Sequence, residues 1–191
     1  CLRGVPVRPP FVLTSVLCGL LISLSGRGEV PASAVGGQRG HLAIEVDRQG
    51  WGAVDPDDIR TVLYSVADTL LTRIPEHGPL TLRVSHTHDT PAALYDRGPG
   101  GEYLIRLHAD RDRWPLYVYE FAHELCHILS NYDRAGAEIR RRNQWLEETL
   151  CETASLYALG SLGTQWEYAP PEAHLAPHAA DLRRFFRSLV T

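Results

Sequence analysis

The sequence lacks an excess of positive charge. Its 19 Lys and Arg residues stand against 23 Asp and Glu residues, which gives a formal net charge of −4. A protein that holds nucleic acid through its phosphates needs the opposite balance. The three arginines at 140–142 form a local basic run, which is typical of a solvated face rather than of a recognition surface. We therefore expect no nucleic-acid partner.

The sequence also lacks an apolar run of the ~20 residues that cross a bilayer as a helix. The run FVLTSVLCGLLISLSG at 11–26 is shorter, follows Arg3 and Arg8, and precedes the small-x-small tripeptide at 32–34. This order is typical of a secretory signal peptide cleaved after Ala34, and it favours cleavage over a retained anchor. We therefore predict a signal peptide at 1–34 and a mature domain at 35–191. The protein is expected to be secreted or periplasmic, without a stable membrane anchor.

Cysteine is scarce, and internal repeats are missing. Only Cys126 and Cys151 lie beyond Ala34. A chain of 191 residues can bury a proper core without several disulfides, so one catalytic domain is expected.

Hydrophobic periodicity divides the rest of the chain into strands and helices. Alternating apolar residues predict three strands, at 41–47, 80–84 and 102–108. Apolar residues at helical spacing predict four helices, at 56–74, 114–130, 144–162 and 176–189, with Asp55 as the cap of the first. The stretch 86–101 is rich in turn formers and is predicted to be a long loop.

The stretch FAHELCH at 121–127 places two histidines four residues apart, with a glutamate directly after the first. On a helix, positions four apart lie one turn above each other on the same face, so His123 and His127 can bind one metal ion together. Glu124 lies about 100° around the axis, beside the metal, where a carboxylate can take a proton from a bound water. The apolar neighbours predict a buried helix. They favour a metal site, with a pair of satisfied core histidines as the alternative.

A catalytic zinc usually has three protein ligands and keeps one position for water, so a third ligand must come from another element. The stretch WLEETLCE at 145–152 offers Glu147 and Glu148. HExxH followed by a glutamate on the next helix resembles the gluzincin metallopeptidases, which include thermolysin-like and aminopeptidase N-like enzymes. Comparison of WLEET with the WLNEG-like stretch of the latter group assigns the ligand to Glu148, at a spacing of 148 − 127 = 21 that is slightly longer than usual. Glu147 matches the thermolysin-like spacing instead.

The residue one helical turn further on favours Glu148 as the ligand. Beyond Glu148 it is Glu152, whose carboxylate can accept the outer ring N–H of a ligating histidine and so fix its tautomer. Beyond Glu147 it is Cys151, a poor acceptor. On this interpretation Glu147 is a solvated helix residue.

The resemblance implies an α+β, zincin-like fold, with a small mixed sheet packed on the HExxH helix and a helical C-terminal part. It also implies Zn²⁺ as cofactor and hydrolysis of peptide bonds, with Glu124 as the general base. A peptide or protein substrate is expected to pair along an edge strand, for which 102–108 is the candidate. The alternative is a catalytically inactive, zinc-stabilised binding or regulatory domain.

An oxyanion formed during attack on a carbonyl needs a donor besides the metal, often a Tyr or His beyond the third ligand. The sequence offers Tyr168, His174 and His178 as candidates for this role.

Cys126 and Cys151 are predicted to form a disulfide between the two metal-bearing helices. Each lies three residues after a ligand, His123 and Glu148 respectively. If the helices are antiparallel with their ligands facing each other, both cysteines turn to the same side. Export would place the pair in an oxidising compartment, where a disulfide persists.

Overall fold

The computed structural model describes residues 42–74, 78–132 and 137–191. The predicted signal peptide and its boundary at Ala34 lie outside these residues. The elements are, in chain order, β1 (Leu42–Val46), α1 (Pro56–Leu71), β2 (Leu80–His86), β3 (Ala92–Arg97), β4 (Tyr103–Leu107), α2 (Trp114–Leu129), α3 (Ala137–Gln165), a short 3₁₀ helix (Ala173–His178) and α4 (Ala179–Val190). The described chain is therefore a mixed α+β structure with one four-stranded sheet and four α-helices.

The sheet has the strand order β1-β2-β4-β3. β1, β2 and β4 are parallel, whereas β3 is antiparallel to β4. The prediction of a loop at 86–101 is wrong, because β3 lies within it. β3 and β4 form a hairpin whose turn is closed by a hydrogen bond of 2.9 Å from Gly98 N–H to the carbonyl of Glu102. Gly101 has φ +84°, a conformation that glycine adopts without strain.

The position of β3 changes which strand has a free side. β4 lies between β2 and β3, so the candidate edge strand at 102–108 is an inner strand, and that prediction is wrong. The two edge strands are β1 and β3, and β3 is the one that contacts α2, the helix with the histidine pair. The sequence AALYDR gives little strand signal, because its side chains do not alternate between buried and exposed; the segment is a strand through its pairing with β4.

The core lies on the face of the sheet that the helices cover. Alternate residues of the parallel strands are buried there, namely Leu42, Ile44, Leu80, Leu82, Val84, Tyr103, Ile105 and Leu107. The predicted face of α1 is confirmed, since Ile59, Val62, Leu63, Val66, Leu70 and Leu71 are all buried. The Asp55 carboxylate accepts from Asp57 N–H at 2.9 Å, which confirms the predicted cap.

α2 packs against both α1 and α3. Tyr119, near the start of α2, contacts Glu152, whereas His127, near the end of α2, contacts the earlier residue Glu147 of α3. The two helices are therefore antiparallel. In the described ranges no helix has both the length and the apolar character needed to span a membrane.

α4 covers the second half of α3. Gly163 allows the close approach, since a Cβ there would lie 2.8 Å from Cγ and 3.2 Å from the backbone nitrogen of Arg183. The Arg183 guanidinium donates to the carbonyl of Gly163 at 2.6 Å and pairs with Glu167 at 2.5 Å. These contacts fix the helical C-terminal part against the helix that carries the acidic site residues.

Candidate metal centre

The two histidines of the motif stand on a buried helix, as the sequence predicts. Phe121, Leu125 and Ile128 of α2 are fully or almost fully buried. The His123 and His127 rings lie one turn apart with centroids separated by 4.9 Å. Burial, followed by the neighbouring His127, lowers the pKa of His123. The lowered pKa favours the neutral imidazole, which is the form that binds metals.

Glu148 completes a group of three possible metal ligands. Its Oε2 lies 3.2 Å from His123 Nε2 and 3.7 Å from His127 Nε2. One ligand atom from each of the three residues falls within 4.8 Å of the other two, so the group can hold a metal ion. Two imidazole nitrogens and one carboxylate oxygen are a donor set found in catalytic zinc sites with an open coordination position.

Each histidine presents its other ring nitrogen to a different carboxylate of α3. His127 Nδ1 lies 2.8 Å from Glu147 Oε1, and His123 Nδ1 lies 3.9 Å from Glu152 Oε2. The interpretation of Glu147 as a solvated residue is therefore wrong. Neighbouring residues of a helix differ by about 100° in direction, so Glu147 and Glu148 can approach two different atoms of the same ring. Carboxylates in these positions fix the tautomer and orientation of a ligating histidine.

Glu124 lies beside this group and is almost completely buried, with 6% of its surface exposed. Its Oε2 accepts a hydrogen bond of 2.6 Å from the backbone N–H of Ala93 in β3. Burial raises the pKa of Glu124 to about 7, against the opposing effect of the Ala93 hydrogen bond. A carboxyl group with a pKa near neutrality is suited to accept and return a proton.

A cavity of about 580 Å³ opens between β3, α2 and α3. His123, Glu124, His127 and Glu148 all line it. Ala92 and Ala93 contribute the edge strand to its wall. The three ligand candidates and the buried carboxyl group therefore face one accessible space.

The other residues of the cavity wall include three tyrosines that the sequence interpretation missed, Tyr95, Tyr119 and Tyr132. The Tyr119 hydroxyl donates to Glu152 Oε2 at 2.6 Å, and the Tyr132 hydroxyl donates to the carbonyl of Leu94 in β3. Burial, followed by the contact with Glu152, raises the pKa of Tyr119, so this hydroxyl remains a donor. The four-residue spacing to His123 is the signal that could have identified Tyr119.

The candidate oxyanion donors Tyr168, His174 and His178 are not part of the cavity wall. Tyr168 is 85% exposed. His174 Nε2 lies 3.2 Å from Asp58 Oδ2 at the start of α1, and His178 Nδ1 lies 3.1 Å from Asp181 Oδ2. The prediction placed them by their order in the chain. The chain after α3 instead leads His174 to the first turn of α1 and His178 to the first turn of α4.

Cys126 and Cys151 are present as buried free thiols rather than as the predicted disulfide. The neighbouring Cys151 side chain lowers the pKa of the Cys126 thiol. The antiparallel helices therefore bring the two cysteines together as expected, and the structure contains the pair in its reduced form.

Comparisons of the chain with protein-family models, with curated proteins and with solved structures found no significant match.

Proposed function

We propose that this chain is a zinc-dependent metallopeptidase of the gluzincin type with a zincin-like fold. The observation that carries the proposal is the group of His123, His127 and Glu148, with Glu124 beside it in the same cavity. A purely structural metal site has no need of a buried carboxyl group that faces an open space next to the ligands. The sequence features at 1–34 further support a secreted or periplasmic protein.

Zinc suits this set of donors. His and carboxylate ligands in a 2:1 ratio leave a fourth position for water or substrate. When bound, zinc lowers the pKa of a water molecule and polarises the carbonyl of a substrate. The residues that would hold it are His123, His127 and Glu148.

The proposed role of Glu124 is proton transfer. It takes the proton of the attacking water and passes it to the amine that leaves when the peptide bond breaks. A pKa of about 7 allows the group both to accept and to release a proton near neutral pH. The Ala93 N–H holds the carboxylate in place at 2.6 Å without adding a charge.

The proposed substrate is a peptide or protein whose backbone pairs along β3. This strand is the edge of the sheet next to the cavity, and Ala92 and Ala93 belong to the cavity wall. Addition of an extended chain to a sheet edge supplies main-chain hydrogen bonds that do not depend on the side chains. The Ala93 N–H is not one of these donors, because it is already bonded to Glu124. β3 takes the role that the sequence interpretation gave to 102–108.

The test compares wild type with Glu124→Gln, both loaded with zinc, on an unbiased peptide library. Glu124→Gln should retain the zinc content of wild type, and cleavage should fall by about 10²- to 10⁴-fold because only the proton transfer is lost. Glu45→Gln is the matched control, since Glu45 is an exposed residue of β1 and should leave cleavage unchanged. Equal cleavage by wild type and Glu124→Gln, or no cleavage by either, would replace the peptidase with a zinc-stabilised binding domain.

A further inference from the structure

The two histidines of the proposed site differ in how their orienting carboxylates are held. Glu147 lies directly on His127 Nδ1 at 2.8 Å, and only 23% of its side chain is exposed. Glu152 lies farther from His123 Nδ1, at 3.9 Å, and 45% of its side chain is exposed. A half-exposed carboxylate at that distance has other rotamers open to it in water. Something else must keep Glu152 next to the ring if it is to orient His123.

The Tyr119 hydroxyl is the group in position to do so. It donates 2.6 Å to Oε2 of Glu152, the same oxygen that faces His123 Nδ1. Tyr119 stands one turn before His123 on α2, so its side chain reaches Glu152 from the same helix face that presents the ligand. We infer that Tyr119 is a positioning residue of the metal site, which acts by holding Glu152 against the outer nitrogen of His123. The inference rests on the proposed metal site.

Tyr119 is itself fixed by two other helices. The ring of Phe185 in α4 meets its ring edge-on, with centroids 6.0 Å apart. The Ser155 hydroxyl of α3, which is fully buried, donates 2.8 Å to the carbonyl of Tyr119. Tyr119 therefore has a defined position before any metal binds. An anchored donor holds its partner at a lower entropic cost than a freely rotating one.

The step that links Tyr119 to the metal is the tautomer of His123. A metal on Nε2 requires the neutral ring to carry its proton on Nδ1, and that N–H needs an acceptor. Glu152 Oε2 is the acceptor next to Nδ1. Removing the Tyr119 hydroxyl leaves Glu152 free to turn to solvent. The ring then loses the partner that favours the metal-binding tautomer.

The test is a titration of the purified chain with Zn²⁺ against a chromophoric chelator. Tyr119→Phe should weaken zinc binding by about 10-fold, the lower end of the range for partners that orient a ligand. Tyr117→Phe is the matched control, because Tyr117 is a buried tyrosine of the same helix whose hydroxyl has no hydrogen-bond partner among the residues that the structure describes. Its zinc affinity should equal that of wild type.

A double-mutant cycle separates positioning from a general effect on packing. If Tyr119 acts through Glu152, Tyr119→Phe should have no further effect on zinc affinity in a Glu152→Ala background. The His123 ring N–H of the zinc-loaded protein, observed by NMR, should also exchange faster with water in Tyr119→Phe than in wild type. Additive losses in the cycle, or an exchange rate equal to that of wild type, would overturn the inference.

The outcomes distinguish this inference from the proposed function. If wild type binds zinc and Tyr119→Phe binds it equally well, only the role of Tyr119 falls. If wild type does not bind zinc, the proposed function falls and the inference falls with it. Because the readout is affinity, it does not depend on whether the protein cleaves a peptide.

Discussion

α2 places His123, Glu124 and His127 among buried side chains, whereas α3 places Glu148 and Glu152 where nearly half of each side chain is exposed. The first described part of α3 also exposes Trp145, Leu146 and Leu150. From Cys151 onward the same helix is buried at Cys151, Ser155, Ala158, Leu159 and Leu162. The third ligand candidate thus stands just before the point where α3 enters the core.

The difference indicates two ways of fixing a site residue. The α2 residues are positioned by the packing of the core and need no metal for it. The α3 residues are positioned across the seam between the helices, by the contacts of Glu147 with His127 and of Glu152 with Tyr119. We therefore expect substitutions of core side chains in α2 to change the stability of the fold, and substitutions of the acidic residues in the exposed part of α3 to change metal binding.

The largest effect is expected in the core of α2. Phe121→Ala should lower the free energy of unfolding of the metal-free protein by about 3–5 kcal/mol, because it removes a fully buried ring and leaves a cavity. Leu150→Ala, at a side chain that is 53% exposed, should change it by less than about 0.5 kcal/mol. Urea unfolding of wild type and the two variants measures both changes in the free energy of unfolding. Similar losses in the two variants would show that the first part of α3 is packed as firmly as α2.

The next effect separates the two adjacent glutamates of α3. Glu148→Ala should weaken zinc binding more than Glu147→Ala, because the first removes a ligand and the second an orienting partner of His127. The loss for Glu147→Ala should be about 10- to 100-fold, and that for Glu148→Ala should exceed it. Competition titration with a chelator gives the ranking, and unfolding of the metal-free variants should show little change. The opposite ranking would transfer the ligand role to Glu147.

The smallest effect, counted per pH unit, is a pH dependence of stability that comes from Glu124 in α2. In the metal-free protein burial raises the pKa of Glu124 from its ordinary 4.5 to about 7, so between these values the folded state holds a proton that the unfolded state has released. The free energy of unfolding should therefore fall as pH rises from 4.5 to about 7, by at most ~1.4 kcal/mol per pH unit from this group. Glu124→Gln should lack this contribution. Unfolding curves of wild type and variant that stay parallel across the window would contradict it.

The parts of the fold that sequence reasoning predicted are those whose signals are local. The apolar face of α1, its cap at Asp55 and the helical histidine pair all follow from spacing within a few residues. β3 was missed because a strand is defined by its partner, and the partner lies beyond the turn at 98–101. The predicted oxyanion donors failed for the same reason, since the packing of α4 decides where the chain leads after Gln165.

The site shows the same division between local and long-range signals. Spacing identified both Glu147 and Glu148 but could not tell that each contacts a different nitrogen of His127, because that depends on how α3 is rotated against α2. Glu152 was predicted from its place one turn beyond Glu148, and it does lie next to His123. The four-residue spacing places Tyr119 on the same helix face as His123, but its contact with Glu152 depends on how α3 packs against α2, so the sequence interpretation missed its role.

Three acidic residues of the site, Glu147, Glu148 and Glu152, belong to a block of six consecutive residues. The three ligand candidates come from the helices themselves, two from α2 and one from α3. A gain or loss of one residue inside the block would rotate part of it by about 100°, so that Glu148 would no longer face the histidines together with Glu147 and Glu152. A change of length in the connection would not alter the spacing within either helix. A sequence pattern for distant relatives should therefore keep the spacing within the 123–127 motif and within the 147–152 block fixed, and allow the interval between them to vary. The 147–152 block could also be transferred to another helix as one unit.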